Sequence, residues 1–216
     1  KENKIIKKKL ILTKSLPESV VFPAFMKRLN ELKNESNYQQ KTGDIIRLVY
    51  VGRLHVEKMT DHLIKALPLI RAAVPNIRLR IIGAGPDKDL LERMIKENEV
   101  DDITELLDYV PHGQLPDLLL SSDVFVSPST GHAFREAAIC GLPIVAYNID
   151  WIKGFLTHEE NFYGTETIDY KKFSEDVITV ANDLALRKKL SSNIELFAER
   201  YWSAKNLPKS LEKIFV

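Results

Sequence analysis

The sequence predicts an α/β fold built on a doubly wound parallel sheet of about six strands, and three observations predict it. From residue 45 onward, short apolar runs alternate with amphipathic helical stretches. Most of those runs are continuous rather than alternating, and they are rich in Ile, Val and Leu, as strands covered on both faces are. A β-α order repeated in this way favours parallel strands joined by crossover helices. The expected unit is therefore Rossmann-like, with extra helices at its C-terminal end.

The strand candidates are Ile45–Val51, Ile77–Ile82, Ile103–Leu107, Asp123–Ser127, Pro143–Tyr147 and Phe162–Thr165. Between them lie helical stripes of period 3.6. Leu63, Ala66, Leu67, Ile70 and Val74 make the first, with Pro68 inside it expected to kink it or shift its start. Leu90, Leu91, Met94 and Ile95 make the second, and Phe134, Ala137, Ala138 and Gly141 the third. Beyond residue 169 the strands stop. Phe173, Val177, Val180, Ala181 and Leu184 mark one further helix; Ile194, Phe197, Ala198 and Tyr201 mark another. Ser203 is placed to cap a last helix with Leu207, Leu211, Ile214 and Phe215 on its apolar side. The first 44 residues fit the alternation badly: Ile5–Thr13 reads as a strand, Phe22–Leu32 as a short helix, and "NESNYQQKTGD" as a linker.

Composition narrows the function classes. At 216 residues and 44% hydrophobic, the chain can bury a full core. Its 31 basic and 30 acidic side chains nearly cancel, so nothing calls for a nucleic-acid partner. Lys1, Lys4, Lys7, Lys8, Lys9 and Lys14 crowd the start. They read as a solvated surface or terminus, or alternatively as a contact for anionic lipid. Cys140 is the single cysteine, which excludes an internal disulfide and a multi-thiolate metal site. No apolar run approaches the ~20 residues a membrane helix needs, and no signal-peptide pattern opens the chain. It begins at Lys1 without Met, as a piece of a longer protein would.

In an open parallel sheet, ligands bind beyond the carboxyl ends of the strands, so the residues after each strand are the informative ones. "GRLHVEK" follows the first: Gly52, Arg53 and Lys58, ahead of a helix beginning near Thr60. Two cations beside a helix start suit a diphosphate, although solvated surface cations would read the same way. "GAGPDKD" follows the second. Gly83 and Gly85 echo a dinucleotide fingerprint, but Lys88 stands at the third glycine position, and Pro86 is placed to start a helix. Asp87 and Asp89 form a D-x-D whose first-turn position suits the helix dipole better than a metal. After the fourth strand, Gly131 permits a tight turn, and a helix starting near His132 offers its free N–H groups to an anion. Glu136, read as lying in that helix's first turn, is about 200° round the axis from Phe134. It is expected off the core stripe, toward the crevice mouth, as either a dipole partner or a ligand for hydroxyls. His132 reads as a loop histidine or a ligand contact; His55, His62, His112 and His158 do not cluster as a metal site would require, and no G-x-S-x-G, Walker A or H-E-x-x-H motif is present.

Four stretches, "YVGRLHVEK", "LRIIGAGPDKDLLERMI", "LLDYVPHGQLPDLLLSSDVFVSPS" and "REAAICGLPIVAYN", resemble in order and spacing the family-four retaining glycosyltransferases. More narrowly, they resemble the C-terminal, nucleotide-sugar-binding half of a GT-B fold, over about residues 45–166. The resemblance implies transfer of a sugar from a UDP or GDP donor to a hydroxyl acceptor, without a metal or other cofactor. It implies that Arg53 and Lys58 hold the diphosphate and stabilise it as it leaves. Glu136 would be the second acid of an E-x7-E pattern, on the ribose; Gly52 and Val110 would complete the nucleotide site, Val110 where backbone meets the base. Gly131, His132, Ala133 and Phe134 would lie at the phosphates and sugar. The chain also departs from the pattern. "PSTGHAFRE" is shorter than its counterpart, Glu-Gly-Phe is missing from it, and Pro128 occupies the place of the first acid. Trp151 and Gly154, in "NIDWIKGF", stand where Gly and Glu are expected.

The domain expectation is an extension and linker over 1–44 and a donor-binding domain over 45–185. Helices over 186–216 would pack on it or reach toward an N-terminal, acceptor-binding domain, which is otherwise a partner chain. The expected location is cytoplasmic, with peripheral membrane contact if the lysines meet lipid. Two alternatives stand beside a transferase domain, which would be inactive in isolation: a nucleotide-sugar-binding module without transfer, motivated by the short loop, and a NAD-linked enzyme, motivated by Gly83 and Gly85.

Overall fold

The computed structural model describes residues 23–34 and 44–202. The Ile5–Thr13 strand, the lysine-rich start, most of the "NESNYQQKTGD" linker and the Ser203-capped helix lie outside the described residues.

In chain order the elements are α1 (Pro23–Asn34), β1 (Ile46–Val51), a 3₁₀ turn (Val56–Lys58), α2 (Thr60–Ala73), β2 (Ile77–Ile82), α3 (Lys88–Glu97), a second 3₁₀ turn (Asp101–Ile103) and β3 (Thr104–Leu107). They continue with α4 (Leu115–Leu120), β4 (Val124–Ser127), α5 (His132–Ile139), β5 (Ile144–Tyr147), β6 (Tyr163–Thr165), α6 (Tyr170–Asn182) and α7 (Leu184–Trp202). The six strands form one sheet in the order β3-β2-β1-β4-β5-β6, and each neighbouring pair is parallel. The expected doubly wound sheet is therefore present. Connections run outward in opposite senses from β1 and β4, which opens a crevice at their carboxyl ends.

Successive side chains on the central strands β1, β4 and β5 enter two different cores, and that explains their continuous apolar runs. Leu48, Tyr50, Val124, Val126, Val145 and Tyr147 pack with α2, α3 and α6 on one face. Val49, Ile82, Phe125, Ile144 and Ala146 pack with α1, α4, α5 and α7 on the other. Asp169 caps α6 by accepting from the Lys171 amide at 2.8 Å. Phe25 and Leu29 of α1 are fully buried against the second core, and Arg28 grips Asp117 of α4 at 2.6 and 3.0 Å.

Several expectations shift. Helix α2 runs unbroken from Thr60 through Pro68, so its start is not displaced by the proline. Helix α3 begins at Lys88, not at Pro86, because Pro86 and Asp87 stay in a turn held by the Asp87 amide on the Leu54 carbonyl, 3.2 Å away. Leu184 opens α7 rather than closing α6, and both it and Leu90 are exposed rather than in a core. The short α4 was not foreseen: at six residues it shows too little of a helical period.

Gly83 and Gly85 serve the join between the loops after β1 and β2. A Cβ at Gly83 would sit 1.9 Å from the Gly52 carbonyl oxygen, and one at Gly85 2.0 Å from that of Leu54. The loops are laced by backbone bonds from Gly52 to Ile82 and from Leu54 to Ala84, both 3.0 Å. This close approach accounts for the G-x-G without a dinucleotide, which removes the ground for the NAD-linked alternative.

Candidate functional site

At the carboxyl ends of β1, β2 and β4 the loops enclose a cleft of about 440 Å³. Gly52, Arg53, Lys58, Val110, Gly131, His132, Ala133, Phe134 and Glu136 all line it. The residues singled out from sequence are thus brought to one place from three separate crossovers.

The first crossover supplies the cations. His55 caps the 3₁₀ turn by accepting from the Glu57 amide at 3.3 Å. The turn closes on Met59, which holds the left-handed conformation (φ 50°) and hands the chain to α2. Lys58, half-buried, donates to the Thr130 carbonyl at 2.8 Å across the cleft. Arg53 is more exposed and pairs with Glu57 at 3.1 Å. Both cations therefore face the cleft while held by groups an anion would replace.

The acid lies deeper than expected. Glu136 stands on the second turn of α5 rather than the first, and it is 2% exposed, in the cleft wall rather than at its mouth. The dipole explanation weakens accordingly, since that effect fades beyond the first turn. His112, on the loop after β3, brings its Nε2 to 3.4 Å from the Glu136 carboxylate. No sequence spacing announced that pair; the β3–α4 loop creates it by folding over α5. Tyr109 on the same loop is exposed and lines the cleft beside Val110. His132 opens α5, and its imidazole is held below the usual histidine range by desolvation, then by Arg135, His112 and Lys58 nearby.

Behind the cleft-lining residues Thr130 and Phe134 stand an acid and an aromatic ring. Trp151, on the loop after β5, sets its ring edge-on to Phe134 with centroids 5.4 Å apart, and the Arg135 guanidinium lies 5.6 Å from the Trp151 ring. Asp150 beside it accepts from the Thr130 hydroxyl at 3.0 Å. Among the described residues, no group of three or more His, Cys, Asp or Glu side chains is gathered closely enough to hold a metal ion.

Matched against known families, residues 33–197 fit the family model for glycosyl transferases group 1. This chain belongs to the group 1 glycosyl transferases. One relative, the gpi3 subunit of phosphatidylinositol N-acetylglucosaminyltransferase from Schizosaccharomyces pombe, is 32% identical over 141 residues. That match covers 63% of this group 1 chain and 31% of the relative. Staphylococcus aureus TarM, solved with UDP, superposes with a TM-score of 0.72 at 19% identity, over 88% of this chain and 42% of TarM. The C-terminal domain of the group 1 protein LpcC from Francisella tularensis superposes with a TM-score of 0.67 at 18% identity, over 74% of this chain and 87% of that domain. These likenesses establish the shared fold. The group 1 chain described here spans about a third of the length of the curated relatives it matches.

Proposed function

We propose that this chain is the donor-binding part of a retaining glycosyltransferase that takes a nucleoside-diphosphate sugar, with UDP as the nucleotide. What carries the proposal is one arrangement: the cations Arg53 and Lys58 and the buried carboxylate of Glu136 line the same cleft. Cations suit the diphosphate, and a carboxylate that would repel phosphate suits the ribose hydroxyls. Gly52 and Val110 would border the nucleotide, and Gly131, His132, Ala133 and Phe134 the phosphates and sugar. The choice of UDP is supported by the TarM complex, whose fold this chain shares.

In the reaction proposed, the bond from the anomeric carbon to the phosphate oxygen breaks. A new bond forms to the acceptor oxygen on the same face, and the acceptor proton passes to the leaving phosphate. Arg53 and Lys58 stabilise the charge that develops, so no metal is assigned to this step. The acceptor site would come from an N-terminal domain or a partner chain, a reading supported by the S. pombe relative being named a subunit. Its name also specifies a phosphatidylinositol, a lipid, which supports a protein working at a membrane surface. Among the described residues, no helix is long and apolar enough to cross a membrane.

A thermal-shift panel with UDP, GDP, ADP and their common sugars tests the reading. A ligand at 100 times its dissociation constant adds ~2.7 kcal/mol, enough to raise the melting temperature visibly. UDP and UDP-sugars are expected to give the largest shifts; no shift with any nucleotide would overturn the proposal.

A further inference from the structure

Resting on that reading, we infer that Asp150 is the carboxylate that recognises the donor's sugar. The loop between β4 and α5 is short, with Pro128 where the family pattern would put an acid. A sugar ring presents hydroxyl donors, and a carboxylate is the side chain with the most acceptor sites to meet them.

Tyr109, Val110, His112 and Glu136 line the cleft together with Arg53 and Lys58, the cations assigned to the diphosphate. From Lys58 a chain of hydrogen bonds leads through Thr130, which lines the cleft, to Asp150 beside it: Lys58 donates to the Thr130 carbonyl, and the Thr130 hydroxyl donates to Asp150. Asp150 is thereby fixed one residue away from the lysine that would hold the phosphate next to the sugar.

Two further observations fix its place. Trp151 packs edge-on against Phe134, itself a wall of the cleft, and so holds the loop that carries Asp150 against that wall. The backbone at Asp150 is left-handed, with φ 53°, a conformation Asp tolerates better than most residues. The other carboxylates at the cleft are engaged, Glu57 with Arg53 and Glu136 with His112. Asp150 is exposed, and the Thr130 hydroxyl uses one of its several acceptor sites.

The test is calorimetric titration of the full chain with UDP, UDP-glucose, UDP-N-acetylglucosamine and GDP-mannose. Asp150→Asn keeps an oxygen for Thr130 and a residue at home in the left-handed region, while removing the charge. It is expected to weaken the best-bound nucleotide sugar about tenfold and to leave UDP within about twofold of wild type. Thr130→Val, which removes the tether alone, should act in the same direction by a smaller factor. Equal losses for UDP and nucleotide sugars would make Asp150 a structural residue and overturn the inference, as would unchanged binding of every ligand. Wild-type protein that binds UDP and no sugar nucleotide more tightly would also overturn it. Wild-type protein that binds no nucleotide at all would instead overturn the donor-binding reading beneath it.

Discussion

Replacing Lys58 by Met removes the ammonium and keeps most of the apolar stem, so it isolates the charge. Lys58 is half-buried, and its Nζ already lies 2.8 Å from the Thr130 carbonyl oxygen. A phosphate oxygen at ~4 Å would interact with that charge by about 4 kcal/mol at an effective dielectric constant of ~20. Binding would give up the present bond to a neutral carbonyl, and hydrogen bonds involving one charged group are worth ~1.5–3 kcal/mol net. The difference leaves about 1–2.5 kcal/mol, so UDP affinity should fall roughly 5- to 60-fold in Lys58→Met. Titration calorimetry at physiological salt measures it, and the loss should shrink at 1 M salt, where the Debye length is only ~3 Å. In the full-length enzyme the same change should lower turnover by at least ~100-fold, the scale of losing one donor to a developing charge. A dissociation constant within twofold of wild type would refute the reasoning, because the diphosphate would then lie elsewhere in the cleft.

Three other outcomes are expected. Glu57→Gln frees Arg53 from its exposed 3.1 Å pair and should raise UDP affinity about two- to threefold, since such pairs are worth ~0.2–1 kcal/mol; titration showing no change would mean that Arg53 does not reach the phosphates. His132 is held neutral at pH 7 by desolvation and nearby cations, and an incoming diphosphate opposes those cations. Nucleotide binding should therefore take up protons as pH falls from 7 toward 6, read as buffer-dependent calorimetric heats that vanish in His132→Gln. Gly85→Ala places a Cβ 2.0 Å from the Leu54 carbonyl oxygen and should cost at least ~2 kcal/mol by urea denaturation; wild-type stability would show that the two loops part easily.

The sheet was legible in sequence because its central strands β1, β4 and β5 feed two cores and so carry no polar alternation, while β2 alternates Ile77, Leu79 and Ile81 with Arg78 and Arg80. Five strands begin one residue after their sequence bounds, at Ile46, Thr104, Val124, Ile144 and Tyr163. At Asp123 the reason is visible: its carboxylate accepts from the Arg47 amide at 2.8 Å and holds the residue just outside the strand. Arg53, Lys58 and Glu136 were legible because they follow strand ends, where topology alone concentrates ligand contacts. Local signals could not show His112 against Glu136, or Asp150 against Thr130, since those meetings depend on how loops from different crossovers close. Nor could they show the depth of Glu136: the helix begins at His132 as read, which makes Glu136 its fifth residue, and the burial there comes from the β3–α4 loop closing over it.

Helix α1 has a practical consequence. It precedes β1 in the chain, yet Phe25 and Leu29 join the core that one sheet face makes with α4, α5 and α7. Each such side chain contributes ~1.5–3 kcal/mol by leaving water, a large share of a domain's net stability of ~5–15 kcal/mol. An expression boundary drawn at the first strand would strip the lid from Leu115, Leu119 and Phe125 and leave Asp117 without its guanidinium. Such a fragment would carry the whole nucleotide cleft and still be prone to aggregate, so a failure to bind UDP after that cut would report on the missing helix rather than on the site.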